Sequence, residues 1–251
     1  MLNVLVITEE NPELNTFTGQ YLIVGGESVE TEVFQFIESN SIPIYGKLPE
    51  ERYDAVGTIF GDSPVLCGGK TQGEGNGDYH DNCITFVNST WDKSHLLTEN
   101  RVYSAGVQIN YTTFWILGGG ASSYYLTNTT EFIVQGKPNG IPGPKLPHNI
   151  SRMCVAKLSK NEIFVIGGWN AGLGESDDVW IYNPQKDFER KPGPSLNQNR
   201  HQHICSILRD GEKTQIIVAG GYGKMGTNEA ALNSVEIYDP IENSWHSGNC
   251  F

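Results

Sequence analysis

Four of the six arginines in the chain recur at nearly constant spacing. They are Arg52, Arg101, Arg152 and Arg200, separated by 49, 51 and 48 residues. A guanidinium group can bind a carboxylate through two parallel hydrogen bonds, so a set of such groups could bind an acidic peptide or an anionic sugar. The same groups could instead donate to carbonyl oxygens of neighbouring loops. The residues alone leave both interpretations open.

Aromatic and histidine side chains follow the same repeat. Tyr79, Trp169 and Tyr222 are candidate anchors for a partner, because Trp, Tyr and Arg contribute much of the binding energy at interfaces. Packing inside the fold is the alternative use of the last two. His201 is a further candidate contact. It lies two residues from His203, but the sequence offers no third ligand at motif spacing, so we predict no metal site and no cofactor.

The sequence lacks the usual catalytic motifs. It contains no G-x-S-x-G turn, no phosphate-binding loop of the Walker type and no histidine pair at metalloprotease spacing. The segment GEGNGDYHD lacks the spaced acidic ligands and final glutamate of a calcium-binding EF-hand loop. We therefore predict a protein that is not an enzyme.

Five cysteines bear on the redox environment of the chain. Cys67 precedes a glycine pair and Cys83 lies in the next apolar segment, so a disulfide could join them. Cys154 and Cys205 occupy equivalent places in two successive repeats and form either a second disulfide or two small buried side chains. Cys250 is then free or paired outside this chain.

Four Asn-x-Ser/Thr sequences are candidate glycosylation sites. They begin at Asn88, Asn110, Asn128 and Asn149. Together with the cysteines they favour a secreted or extracellular protein, although the first residues do not resemble a signal peptide. A cytoplasmic protein is the alternative.

The composition restricts the classes of partner. Seventeen Lys and Arg against 29 Asp and Glu give a formal net charge of −12. This charge argues against nonspecific binding to nucleic acid or to an anionic membrane surface. No stretch of eighteen apolar residues is present, so we expect no membrane insertion.

Paired glycines reveal the elements that must position these side chains. The pairs begin at Gly25, Gly68, Gly118, Gly167 and Gly220, at separations of 43, 50, 49 and 53 residues, and each ends an apolar segment. Between one pair and the next we find an alternating apolar segment, an aromatic residue, a Leu-containing turn and another apolar segment. Each unit therefore predicts four short strands, with the glycine pair ending the second one.

Four strands in about 50 residues, repeated along a chain, indicate a β-propeller, and the glycine pair followed by Tyr and Trp resembles the kelch repeat. The resemblance covers nearly the whole chain and is clearest at 152–192 and 200–248. It implies an all-β, kelch-type β-propeller in one domain of five recognisable four-stranded blades, either a small closed ring or part of a six-bladed one. The expected blades are 1–50, 51–100, 101–150, 151–198 and 199–251.

Similar kelch proteins bind partners through one loop face, which implies a noncatalytic propeller that binds a protein, an acidic peptide or a glycan. The loops after the glycine pairs and the turns that carry the arginines are expected on that face. Two alternatives follow from the same resemblance. One is an enzyme acting on an anionic sugar, similar to sialic acid epimerases. The other is the substrate-recognition part of a ubiquitin ligase adaptor that lacks its BTB region.

Overall fold

The computed structural model describes backbone and side chains over most of the chain after residue 47. The ranges are 48–50, 52–60, 63–71, 78–121, 125–210, 213–225 and 228–248, with only the backbone described at Asp210 and Met225. Before residue 48 it describes only the backbone of four strands. The glycine pair at Gly25 and the half-cystine candidate Cys250 lie outside the described residues.

The described strands form five four-stranded antiparallel sheets, here called blades I to V, and one extra hairpin. Blade I contains β1 (Val4–Ile7), β2 (Gln20–Val24), β3 (Glu32–Ile37) and β4 (Asn40–Lys47). Blade II contains β5 (Val56–Phe60), β6 (Ser63–Cys67), β7 (Asn82–Val87) and β8 (Thr90–Leu96). Blade III contains β9 (Ala105–Asn110), β10 (Thr113–Leu117), β11 (Thr130–Val134) and β12 (Ile141–Pro142).

Blade IV contains β13 (Cys154–Ser159), β14 (Glu162–Asn170), β15 (Gly174–Asn183) and β16 (Glu189–Pro192), with a 3-10 turn at Pro184–Lys186. Blade V contains β17 (Ile204–Asp210), β18 (Lys213–Ala219), β21 (Val235–Asp239) and β22 (Ser244–Gly248). The extra hairpin is β19 (Tyr222–Met225) and β20 (Asn228–Ala231), inserted into blade V. The fold is therefore all-β and built of four-stranded propeller blades, as predicted.

Within each blade the first strand pairs with the second, the second with the third and the third with the fourth. The first strands of successive blades lie beside one another. Thus β5 contacts β9, β9 contacts β13, and β13 contacts β17. This arrangement puts the start of every blade on the inside and its last strand on the outside. Within the described ranges, no helix is long or apolar enough to cross a membrane.

In blades II to IV the second strand is buried on both faces because blades stack face to face. In β10, Phe114 and Ile116 pack against blade II, whereas Trp115 and Leu117 pack against blade IV. The four side chains are at most 1% exposed. Burying such side chains contributes roughly 1.5–3 kcal/mol each. By contrast, every residue of the outer strands β12 and β16 is exposed.

The glycine pairs lie where one blade meets the next. In the pairs at Gly68, Gly118 and Gly167 both residues have positive φ, and a Cβ on the first residue would overlap the backbone of the following blade. The prediction that every pair ends its strand is wrong for blade IV. There β14 continues through Gly167 and Gly168 to Asn170, with a register shift at the pair, because β15 is long enough to extend the hairpin.

Two disulfides lie at the predicted pairings. Cys67 and Cys83 face each other across β6 and β7, with Cα atoms 3.9 Å apart. Cys154 and Cys205 join β13 to β17, with Cα atoms 6.0 Å apart. The first bridge ties two strands of one blade and the second ties two successive blades. Loops of these sizes correspond to a stabilisation on the order of 3–4 kcal/mol per bridge through restriction of the unfolded chain.

Replacing Gly118 by Ala should destabilise the protein far more than replacing Gly136. Both glycines have positive φ, but an added Cβ at Gly136 meets nothing within 4 Å, whereas at Gly118 it meets the Ile150 carbonyl oxygen. We expect Gly136→Ala to cost about 1 kcal/mol from backbone strain alone. Gly118→Ala should cost several times more or prevent folding, as measured by urea unfolding followed by tryptophan fluorescence. Equal losses would refute the steric explanation.

Refolding in a glutathione redox buffer should regenerate the pairs Cys67–Cys83 and Cys154–Cys205. Both pairs are positioned by strand pairing or by blade stacking, so the native fold selects them over other combinations. Peptide mapping by mass spectrometry without reduction checks the pairing. A major product linking Cys250 to any of these four residues would contradict it.

Candidate functional site

Three of the periodic arginines are fully buried at the ends of the blades that they introduce. Arg52, Arg101 and Arg200 each have 0% exposure. Each guanidinium donates through Nη1 to two carbonyl oxygens. One belongs to the first glycine of the blade's glycine pair. The other belongs to a residue at the start of the blade's third strand or just before it. For Arg52 these acceptors are Gly68 and Asn82, both at 2.9 Å. Each arginine therefore joins two strands of its own blade.

Acidic or amide side chains complete these three networks. Arg101 Nε donates to Glu131 Oε1 at 2.5 Å, and Arg200 Nη2 donates to Glu236 Oε1 at 2.7 Å. Glu131 and Glu236 are themselves buried. In blade II the carboxylate is that of Glu50, whose Oε1 accepts from Arg52 Nη2 at 2.6 Å, and Asn82 Oδ1 accepts from the same nitrogen at 2.6 Å. A buried charge is tolerated when it is paired and hydrogen-bonded in this way.

The burial of these arginines changes the interpretation of the repeat. We considered them as ligand contacts or as donors to loop carbonyls, and the observed hydrogen bonds match the second use. A ligand approaching from solvent does not reach the guanidinium groups of Arg52, Arg101 or Arg200 in this arrangement, because none is exposed. Arg152 alone among the four is partly exposed.

Arg152 occupies a different place in the repeat. The carbonyl oxygens of Arg101 and Arg200 accept a hydrogen bond from the second glycine of the preceding blade, and in blade IV the oxygen of Ile150 does so. Ile150 thus holds the arginine position. The sequence carried this signal, because the buried leucine of each turn precedes that position by four residues: Leu48, Leu97, Leu146 and Leu196.

Arg152 instead belongs to a row of positive-φ residues, one per blade. The row is Asp54, Tyr103, Arg152 and Gln202, with φ between 53° and 57°. Backbone hydrogen bonds link it from blade to blade: Tyr103 N donates to Asp54 O at 3.2 Å, Arg152 N to Tyr103 O at 2.8 Å, and Gln202 N to Arg152 O at 2.9 Å. These left-handed turns present their side chains beside the glycine pairs.

Cations and aromatic rings alternate across three blades at this face. Lys70 Nζ lies 4.8 Å from the ring centre of Tyr53 and 5.0 Å from that of Tyr103, and it donates to the Tyr103 hydroxyl at 2.9 Å. Arg152 lies 4.4 Å from the Tyr103 ring and 5.7 Å from the Trp169 ring. All five side chains are partly exposed. We call Tyr53, Lys70, Tyr103, Arg152 and Trp169 the cation–aromatic ladder.

Sequence reasoning found two members of the ladder, Arg152 and Trp169, and missed the other three. The missed residues occupy repeat positions adjacent to recognised ones. Tyr53 directly follows Arg52, and Lys70 directly follows a glycine pair. Tyr103 is equivalent to Arg152, but this equivalence depends on the corrected alignment of the turns.

The candidates of blade V lie beside the ladder. His201 is buried, its Nε2 is 2.8 Å from Glu229 Oε1, and its ring stacks on that of Tyr222 at 5.9 Å. Burial lowers the pKa of His201, although the bond to Glu229 acts in the opposite direction. Burial, reinforced by the charge of Arg200, lowers the pKa of the nearby His203 to about 3. Both imidazoles are therefore neutral near pH 7.

Two groups of candidates lie apart from the ladder. Tyr79 is partly exposed and its backbone pairs with Lys70, at the edge of the same face. Among the glycosylation candidates Asn88, Asn110 and Asn149 are exposed, whereas Asn128 is partly buried with its amide 3.4 Å from the Leu146 carbonyl oxygen. Glycosylation of all four stays a prediction.

Comparison with known proteins agrees with the observed blades. The family model described as the kelch motif matches residues 153–187 and 213–251. Kelch-like protein 36 of Rattus norvegicus is 31% identical over 124 residues, which cover 48% of this chain and 19% of that protein. Kelch-like protein 35 of Homo sapiens is 29% identical over 104 residues, covering 41% of this chain and 16% of that protein. The chain thus matches less than a fifth of the length of these relatives.

Replacing Arg101 by Ala should destabilise the protein by about 3–5 kcal/mol, because Glu131 would be left buried without its cation. Arg152→Ala should cost only about 1 kcal/mol, since its side chain is partly exposed and contacts ring faces. Urea unfolding of both variants gives the comparison. Adding Glu131→Gln to Arg101→Ala should recover part of the loss. Similar stabilities for the two single variants would contradict a structural role for Arg101.

Proposed function

We propose that this chain, which belongs to the kelch-repeat β-propeller family, is a noncatalytic binding protein that takes an acidic partner on its glycine-pair face. The observation that carries the proposal is the cation–aromatic ladder. It places Lys70 and Arg152 between three aromatic rings on the side of the blades where Gly68, Gly118 and Gly167 lie. Aromatic and arginine side chains of this kind are typical centres of interfaces.

The charge of the ladder supports an acidic partner. The chain has a formal net charge of −12, so two neighbouring cations on one face are a local exception. Asp54 lies 4.0 Å from Lys70 Nζ, beyond hydrogen-bond distance, so it offsets part of the lysine charge without binding the ammonium group directly. Lys70 and Arg152 can therefore still attract carboxylates of an acidic peptide or an anionic glycan.

The ladder is also suited to binding because its side chains are held in a preorganised arrangement. The backbones of Tyr103 and Arg152 are held by the inter-blade hydrogen bonds of the positive-φ row, and each cation of the ladder lies between two rings. Binding to a preorganised surface loses less conformational entropy than binding to free side chains. A rigid scaffold with exposed rings and cations supports a binding role over a chemical one.

Two alternatives from the kelch resemblance predict different observations. An enzyme acting on an anionic sugar, similar to sialic acid epimerases, would convert a sialic acid such as N-acetylneuraminic acid. The recognition part of a ubiquitin ligase adaptor would bind an acidic peptide without turnover and would require a BTB region elsewhere. Secretion gains no support from the relatives, so compartment and glycosylation stay predictions.

A display library of 12-residue peptides should enrich sequences rich in Asp and Glu. Fluorescence polarisation with one such peptide should show that Arg152→Ala and Lys70→Ala each weaken binding by about 5- to 50-fold, since each removes a charge-assisted contact. Lys137→Ala and Lys160→Ala are matched controls. Their exposed side chains lie in turns at the opposite ends of the strands, so binding should be unchanged.

The outcomes separate the alternatives. Loss of binding in all four lysine and arginine variants would indicate attraction by overall charge and contradict a site at the ladder. Binding that survives the double variant Lys70→Ala/Arg152→Ala would also contradict it. Conversion of the sugar, detected by NMR, would show that the protein is an enzyme.

A further inference from the structure

A second group of polar side chains lies at the boundary of blades IV and V. Glu175 is on β15 opposite Trp169, and Glu229 is on β20 opposite Lys224. His201 precedes the first strand of blade V. Glu175, His201 and Glu229 each offer one ligand atom, and these three atoms all lie within 4.8 Å of one another.

Two buried atoms in this group lack hydrogen-bond partners. They are Glu175 Oε2 and His201 Nδ1. The Glu175 side chain is only 7% exposed, and the nearest cation is Lys224 Nζ, 3.8 Å from Oε2 and beyond hydrogen-bond distance. Burying a carboxylate oxygen without a donor is costly. The group therefore contains a buried negative charge that a cation could stabilise.

We propose that Glu175, His201 and Glu229 bind a divalent transition-metal ion such as Zn²⁺. Two carboxylates and one imidazole suit this class of ion, whereas Mg²⁺ and Ca²⁺ prefer oxygen ligands alone. Ligand atoms around tetrahedral zinc are separated by about 3.3 Å, so the longest separation in the group must shorten by up to about 1.5 Å. Glu229 can supply the movement, because its side chain is 53% exposed.

Lys224 is the natural competitor of the metal ion. Its ammonium group supplies the positive charge nearest to Glu175, but the side chain is 56% exposed and can turn towards solvent. Metal binding would require this displacement. Removing the charge while keeping the aliphatic stem, as in Lys224→Met, should therefore raise the affinity for the metal. This response distinguishes the site from a surface that merely attracts cations.

The test is isothermal titration calorimetry of the chelator-free protein with ZnCl₂. We expect one ion per chain, at least tenfold weaker binding in Glu229→Gln and Glu175→Gln, and several-fold tighter binding in Lys224→Met. The matched control is Glu242→Gln, which alters an exposed carboxylate 3.0 Å from His246 and should leave the affinity unchanged. Visible absorption of the Co²⁺-loaded protein should show ligand-field bands that Glu229→Gln alters.

The exposed position of Glu229 keeps the test decisive even if Glu175→Gln fails to fold. Near-ultraviolet circular dichroism establishes that each variant is folded before titration. Absence of zinc binding by the parent protein would overturn the proposal. So would zinc binding that is unchanged in Glu229→Gln or that is lost in Glu242→Gln.

Discussion

The contact between successive blades depends on one backbone hydrogen bond, made at a place where only glycine fits. The second glycine of a pair donates its N–H to the carbonyl oxygen of the residue that introduces the next blade: Gly69 to Arg101 at 2.7 Å, Gly119 to Ile150 at 2.9 Å and Gly168 to Arg200 at 2.9 Å. Positive φ at both glycines aims the N–H at that oxygen. A Cβ on the first glycine would occupy the space of the same carbonyl. Stacking of the blades follows from this contact.

The buried arginines complete the same junction from the other side. While the backbone oxygen of Arg101 accepts from blade II, its side chain binds Gly118 O, Thr129 O and Glu131 of blade III. One residue thus fixes two blades relative to each other. Ile150 makes the backbone contact without a guanidinium, which shows that the hydrogen bond to glycine is the shared requirement and that the charged network is an addition.

The separation of structural and exposed cations has a functional consequence. The buried guanidinium groups of Arg52, Arg101 and Arg200 are hydrogen-bonded within their own blades, so the regular spacing of these arginines reflects the fold. The arginine that is available to a partner is Arg152, which lies two residues beyond the buried arginine position. Its guanidinium contacts the rings of Tyr103 and Trp169. Lys70 joins it only because adjacent blades bring Tyr53 and Tyr103 to either side of the ammonium group.

The sequence by itself determined the all-β class, the four-stranded repeat and the places of the glycine pairs, because these depend on local periodicity. It named Cys67–Cys83 and Cys154–Cys205 as candidate pairs, and the stacking of the strands and blades decided that both are joined. The sequence did not determine the destination of the arginines. In KLPHNISR the arginine follows Leu146 by six residues and not by four, so Ile150 takes the position of the buried arginines and Arg152 the partly exposed one two residues later. Only the tertiary structure decided which cations are exposed and which acidic side chains meet His201. Those contacts join residues about 30 positions apart in different blades or hairpins, where the stacking of the sheets, and not sequence spacing, sets the distance.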